Sequence, residues 1–145
     1  MKDETAYQRD IIHAVEQLGG WGKKLSNRFL IGIPDLGITL RPFGTTIVEV
    51  KKVDHSPTNS RAAQTGLTEL QAINLRDIWK SGGNCGVILI SPGGSGGAVK
   101  TWAYPGPADT YTPREFHECH LLKTAKNPWV NLIPHLLQEM QNPGP

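Results

Sequence analysis

Three residues in the first half of the chain have types and spacing that could do chemistry. Asp35 lies in GIPDLGITL (32–40), and Glu49 and Lys51 lie in TTIVEVKK (45–52). Both stretches have the apolar, β-branched composition of strands. A carboxylate set in such a strand is destabilising unless a partner compensates it. Residues two apart on a strand share a face, so Glu49 and Lys51 point one way while Val48 and Val50 point the other. If 32–52 forms a hairpin, Asp35 comes to lie near Glu49. Two converging carboxylates repel each other unless a cation neutralises them, and such oxygen ligands suit Mg²⁺ or Mn²⁺. A lysine beside that pair can position a water nucleophile or neutralise charge developing on a phosphate. A lone Glu-x-Lys on an edge strand is commonly a solvated pair. The Pro34-Asp35 step upstream sets this one apart, with proline tolerated at the first position of a strand.

The elements that would have to position these residues can be read from periodicity. Tyr7, Ile11, Val15 and Leu18, with Ala14, form an apolar stripe at helical spacing over 3–18, and Gly19-Gly20 ends it. A weak extended segment, 21–26, leads into the hairpin, which turns at Arg41-Pro42-Phe43-Gly44. The polar segment 52–66 reads as a long loop. Thr68 and Gln71 have capping-box spacing at the start of a second helix, 67–80, whose Leu70, Ile73, Asn74, Ile78 and Trp79 are expected to crowd one side. CGVILIS (85–91) reads as a buried strand and AVKTWAY (98–104) as another. Thr112-Pro113-Arg114-Glu115 is a good helix start, Asn127-Pro128 a second one, and Pro134 is expected to kink or interrupt the last helix. The order is helix, three strands, helix, two strands, helices. That predicts an α/β or α+β domain with a central mixed sheet flanked by helices.

The totals restrict the partners. The 145 residues fit a single domain, with a core over about 4–104 and residues 105–145 as a C-terminal helical extension. A formal charge of +2 is too small for a bulk field that attracts nucleic acid, so any DNA contact must come from a local patch. No apolar run approaches the roughly 20 residues that cross a bilayer. The charged start MKDETAYQRD is unlike a secretory signal. Cys85 and Cys119 show no CxxC spacing, and a reducing, cytoplasmic setting is expected.

Taken together, these motifs resemble the PD-(D/E)XK nuclease superfamily, and within it the VRR-NUC branch, over roughly residues 4–90. The matching positions are Glu4 with Gln8 one turn on, Gly19-Gly20, Gly32-Ile33-Pro34-Asp35, Glu49-Val50-Lys51 and Leu67-Thr68-Glu69-Leu70-Gln71. Gly82-Gly83 then precedes a hydrophobic strand. The resemblance implies a restriction-endonuclease-like core and Mg²⁺- or Mn²⁺-dependent hydrolysis of phosphodiester bonds in DNA. Asp35 and Glu49 would be metal ligands, with the Val50 carbonyl and Glu4 as further ones. Lys51 would act on the attacking water or the transition state, and Gln71 would point toward the site. Asp3 is an alternative to Glu4, and Gln71 is also explained as the partner of Thr68 in the cap. A stand-alone domain of this branch is expected to act as a homodimer on branched, flapped or junction DNA, in a phage-like or recombination and repair setting. The rival is a DNA-binding module that keeps the fold without catalysis, although binding alone has no need of Asp35, Glu49 and Lys51 together.

Lys23, Lys24, Arg28, Lys52 and Arg61 flank the site in sequence and are the candidate phosphate contacts. PGGSGGAVKT has Val99 where a phosphate loop needs glycine before Lys-Thr, so it reads as a turn. HECH (117–120) fits no common zinc frame, and His55 reads as a solvated loop histidine.

Overall fold

The computed structural model describes residues 3–27, 29, 31–53, 63–64, 67–92, 99–106, 110–111, 117–119 and 128–144. Arg28, Arg61, His55, His120 and the segment 112–116 therefore lie outside the described residues. Helix α1, Glu4–Gln17, starts on Asp3, whose carboxylate accepts a hydrogen bond from the Ala6 amide at 2.8 Å. Asp3 thus serves as the cap, leaving Glu4 as the acid of this pair that is free to reach elsewhere. The expected stripe is buried at Tyr7, Ile11, Ala14 and Val15, and Gln8 joins it.

Strands β1, Trp21–Lys24, β2, Leu36–Leu40, and β3, Gly44–Lys52, form an antiparallel meander. The β2–β3 turn closes where sequence placed it, with the Phe43 amide donating to the Leu40 carbonyl at 2.8 Å and Gly44 at φ +69°. Pro34 is not the first residue of β2 but precedes it by two positions. After the short strand β4, Ala63–Gln64, comes helix α2, Glu69–Lys80. Then follow β5, Asn84–Pro92, β6, Val99–Pro105, β7, Thr110–Tyr111, β8, His117–Cys119, and helix α3, Trp129–Glu139.

Among the described residues the main sheet has six strands in the order β1-β2-β3-β5-β6-β8, and β4 pairs with β7 in a separate ribbon. The β3–β5 pair is parallel and its neighbours are antiparallel. The fold is therefore the expected α+β arrangement, a central mixed sheet flanked by helices. Its two faces carry separate cores. Leu36, Ile38, Val48, Val50, Ile88 and Ile90 pack with α1 and α3, whereas Val87, Leu89, Trp102 and Tyr104 pack with Leu75 of α2.

Three expectations change here. The inward face of α2 is Ala72 and Leu75, while Leu70 and Ile73 are exposed. Asn74 uses its amide to donate to the Gly32 carbonyl at 2.7 Å. The segment around 117–119 adds a strand to the sheet edge where a helix from Thr112 was expected. Finally, α3 runs unbroken through Pro134 and belongs to the core. Trp129, Leu132, Ile133, Leu136 and Leu137 are all buried there. Burying five such side chains at about 1.5–3 kcal/mol each outweighs a helix-interior proline at about 3 kcal/mol. Leu136→Ala is accordingly expected to cost about 2–5 kcal/mol of stability in a urea titration. A loss under about 1 kcal/mol would make this helix the peripheral extension that the sequence suggested.

Candidate active site

β2 ends opposite the middle of β3, and that mismatch builds the site. Leu36 pairs with Val48, so residues 49–52 of β3 run on with no β2 partner. Amides two apart on a strand face the same edge, and those of Val50 and Lys52 follow Val48 toward the missing partner. Proline at position 34 has no N–H to offer there. Carboxylates close this edge. The Val50 amide donates to Asp35 Oδ2 at 2.9 Å, and the Lys52 amide donates to Glu4 Oε1 at 3.1 Å. Two acids from different elements are thereby held along one short length of β3.

Asp35 is set from both sides. Its own carbonyl accepts a hydrogen bond from the Leu25 amide at 2.7 Å, which carries the β1–β2 pairing one step further. That pairing brings Ser26 alongside, and its hydroxyl donates to Asp35 Oδ1 at 3.2 Å. Ser26 carried no motif that could have marked it, and only the strand pairing reveals it. The Asn74 tether on Gly32 similarly holds the turn that delivers Pro34-Asp35. Gly32 sits at φ +81°, and a Cβ there would collide with Leu70.

Glu49 is 1% exposed and faces the α2 side of the sheet. Its Oε1 accepts a hydrogen bond from Gln71 Nε2 at 3.2 Å and lies 3.8 Å from Lys51 Nζ. Its Oε2 is buried without a hydrogen-bond partner among the described residues. Burial pushes the Glu49 carboxyl up to about 9. The adjoining Asp35 carboxyl and the negative charge of Glu4 act in the same direction, and Lys51 opposes them. Near neutral pH Glu49 therefore keeps its proton in the protein alone.

Gln71 has both of the roles that its position allowed. Its Oε1 accepts from the Thr68 amide at 3.0 Å and its own amide donates to Thr68 Oγ1 at 3.2 Å, which completes the capping box. Its Nε2 is left for Glu49. The two roles separate by mutation. Thr68→Ala should cost about 1 kcal/mol of stability and leave any chemistry at Glu49 near wild type, because only the cap is lost. Gln71→Ala should lose the same stability and also slow any reaction that uses Glu49 several-fold, since Glu49 loses its donor. Thermal melts alongside rates of the activity proposed for the site read the two effects, and equal rates for both variants would confine Gln71 to the cap.

The remaining candidates divide by face. Cross-strand partners lie on one face, so Lys23, opposite Gly37, shares the Asp35 side of the sheet. Lys24, opposite Leu36, and Lys52, alternating with Lys51, belong to the other side. Val50 contributes its amide to Asp35. Glu4 is engaged with the Lys52 amide, and among the described residues no group of three His, Cys, Asp or Glu side chains converges. The protein side of the site is thus the Asp35–Glu49 pair, and its chemistry suits a hard divalent cation. Two carboxyls adjoin, one has a buried oxygen with no hydrogen-bond partner among the described residues, and a bound cation would displace the proton that burial leaves on Glu49.

No family model matches the sequence, and the search of curated proteins finds no similar protein. Among solved structures the chain is similar to Hjc, a Holliday junction resolvase from the archaeal hyperthermophile Archaeoglobus fulgidus. The two share 13% identity with a TM-score of 0.43, over 67% of this chain and 72% of that one. Among the described residues no helix is long and apolar enough to cross a membrane.

Proposed function

We propose that this protein is a metal-dependent DNA endonuclease of the PD-(D/E)XK type, resembling the VRR-NUC branch in its motifs. One observation carries the reading. Asp35 and Glu49 converge at the point where β2 leaves β3, with the Lys51 ammonium 3.8 Å from Glu49 on the same face. Asp35 and Glu49 would hold Mg²⁺ or Mn²⁺, which when bound supplies Lewis-acid charge to the scissile phosphate. Ser26 and the Val50 amide fix the Asp35 carboxylate, and Gln71 fixes that of Glu49. Lys51 orients the attacking water and offsets the negative charge that grows on the phosphate as the P–O bond breaks. The Val50 carbonyl is a further ligand in this reading, and Glu4 acts from the neighbouring position on β3.

A branched or flapped DNA and a homodimer complete the reading. Phe29 and Ile31 are 77% and 79% exposed, and Leu70 and Ile73 are exposed on α2. Exposed apolar side chains of this kind are what a protein contact would cover. A second copy seated there would bring two sites to two strands. The test is incubation of the protein with linear, flapped and four-way DNA in Mg²⁺, Mn²⁺ or EDTA, with light scattering in parallel. Cleavage of the branched forms is expected only with the metals, from a particle of twice the chain mass. Cleavage that persists in EDTA would refute the metal reading, and a monomer that cuts at full rate would refute the paired sites.

A further inference from the structure

Lys23 and Trp21, both exposed, continue the Asp35 face of the sheet toward the far end of β1 and β2. Trp21 pairs with Thr39 and Lys23 with Gly37, so Trp21, Lys23 and Leu25 project on the side that holds Asp35. Gly37 lets the large side chains lie flat, since a Cβ there would stand 3.4 Å from both Trp21 and Leu25. Trp21 is nevertheless 49% exposed, unlike Trp102 and Trp129, which are buried. Beside it opens a cleft of about 420 Å³ lined by Leu18, Gly19, Gly20, Trp21, Thr39 and Arg41, together with Leu40.

The chemistry of this cleft is not uniform. One wall is formed by Trp21, whose ring reaches over Gly37. Another is the C-terminal end of α1, where main-chain carbonyls bring partial negative charge. Arg41 is exposed at the rim, and Lys23 stands between the cleft and Asp35. A phosphate is repelled by the helix end but attracted by the two cations. A nucleobase has a π-face for the indole and N–H groups for the carbonyls. Along β2 the distance from Asp35 to Thr39 is four residues, about 13 Å, the length of about four nucleotides at the ~3.4 Å duplex rise and of fewer in an extended strand.

We infer that this cleft receives one unpaired base of the DNA strand being cut, a few nucleotides from the scissile bond. Trp21 stacks on the base while Lys23 and Arg41 hold the flanking phosphates. The inference rests on the nuclease reading for its ligand, and it specifies the substrate class: DNA with unpaired nucleotides close to the cut. A base still paired in a duplex cannot enter, because stacking on Trp21 requires it to leave the helix.

Tryptophan fluorescence tests it in EDTA, so that binding is read without cleavage. The protein is titrated with an eight-residue oligothymidylate and, separately, with a blunt duplex. The oligothymidylate should quench emission, and Trp21→Phe should remove most of that quench. Trp21→Leu keeps apolar cover on Gly37 without an aromatic face, and should weaken single-strand binding by roughly ten-fold or more. The same variant should change duplex binding by less than two-fold. Arg41→Gln should weaken single-strand binding and flatten its salt dependence. Equal losses for single strand and duplex, or no loss in Trp21→Leu, would overturn the inference. If quenching behaves as stated while no DNA is ever cut with Mg²⁺, the cleft stands and the nuclease reading falls. If metal-dependent cutting is seen while Trp21→Leu binds and cuts like wild type, the nuclease reading stands and the cleft falls.

Discussion

Lys51→Ala is expected to slow cleavage by about 10²–10³-fold while DNA binding in EDTA and thermal stability stay near wild type. Lys51 is a partly exposed strand residue whose ammonium lies 3.8 Å from Glu49 Oε1. Its removal leaves no cavity in either core. What is lost is a positive charge beside the reacting phosphate, which matters more in the transition state than in the bound substrate. A second consequence distinguishes this from simple damage. Lys51 lowers the Glu49 pKa against burial and the charge of Asp35. Without it Glu49 holds its proton more tightly, so residual activity should rise toward higher pH than in the wild type. Lys51→Arg restores charge without the compact ammonium and should recover only part of the rate. Single-turnover rates across pH, with binding measured separately, check each part. A variant that cuts as fast as wild type would remove Lys51 from the chemistry.

Glu49→Gln is expected to abolish metal-dependent cleavage and to make the metal-free protein more stable at alkaline pH. The sign follows from the direction of the shift. The carboxyl titrates at about 9 in the fold against an ordinary value of 4.5, so between those values the folded state keeps a proton that the unfolded chain has released. Stability from this group is complete below the ordinary value and is lost as pH rises toward about 9. At pH 8 the loss is on the order of a few kcal/mol. Wild-type melting in EDTA should therefore fall from pH 5 to pH 9 more steeply than that of Glu49→Gln, whose amide has no proton to release. Mg²⁺ competes with the same proton, so its stabilising shift on the wild type should grow with pH and be absent in the variant. Parallel pH slopes for the two proteins would show that Glu49 does not sit in the environment described, and a Mg²⁺ shift surviving in the variant would remove it as a ligand.

The exposed Leu70 and Ile73 illustrate a limit of periodicity. Helical spacing places Leu70, Ile73 and Asn74 together, but it does not say which side of α2 meets the sheet. Leu75 and Ala72 make that contact because the parallel β3–β5 pair sets where the helix lands. Similarly, α3 contains a proline that argues locally for a break, and it stays whole because its apolar side is buried against α1 and β6. Local cost loses to tertiary burial in that case.

The sequence by itself determined the features governed by neighbours along the chain. These are the capping box of α2, the turn between β2 and β3, the shared face of Glu49 and Lys51, and the placement of Pro34 before Asp35. Each depends on spacings of a few residues and on backbone geometry common to all chains. Contacts between distant segments were decided only by the tertiary structure. Ser26 meets Asp35, Asn74 meets Gly32, and Glu4 takes the Lys52 amide across 48 positions. The last of these exists because β2 stops short of β3, leaving an amide that a carboxylate must satisfy. No local signal states where a neighbouring strand will end. Asp35 and Glu49 were legible as a pair of converging acids, and what holds them together was written in the register of the sheet.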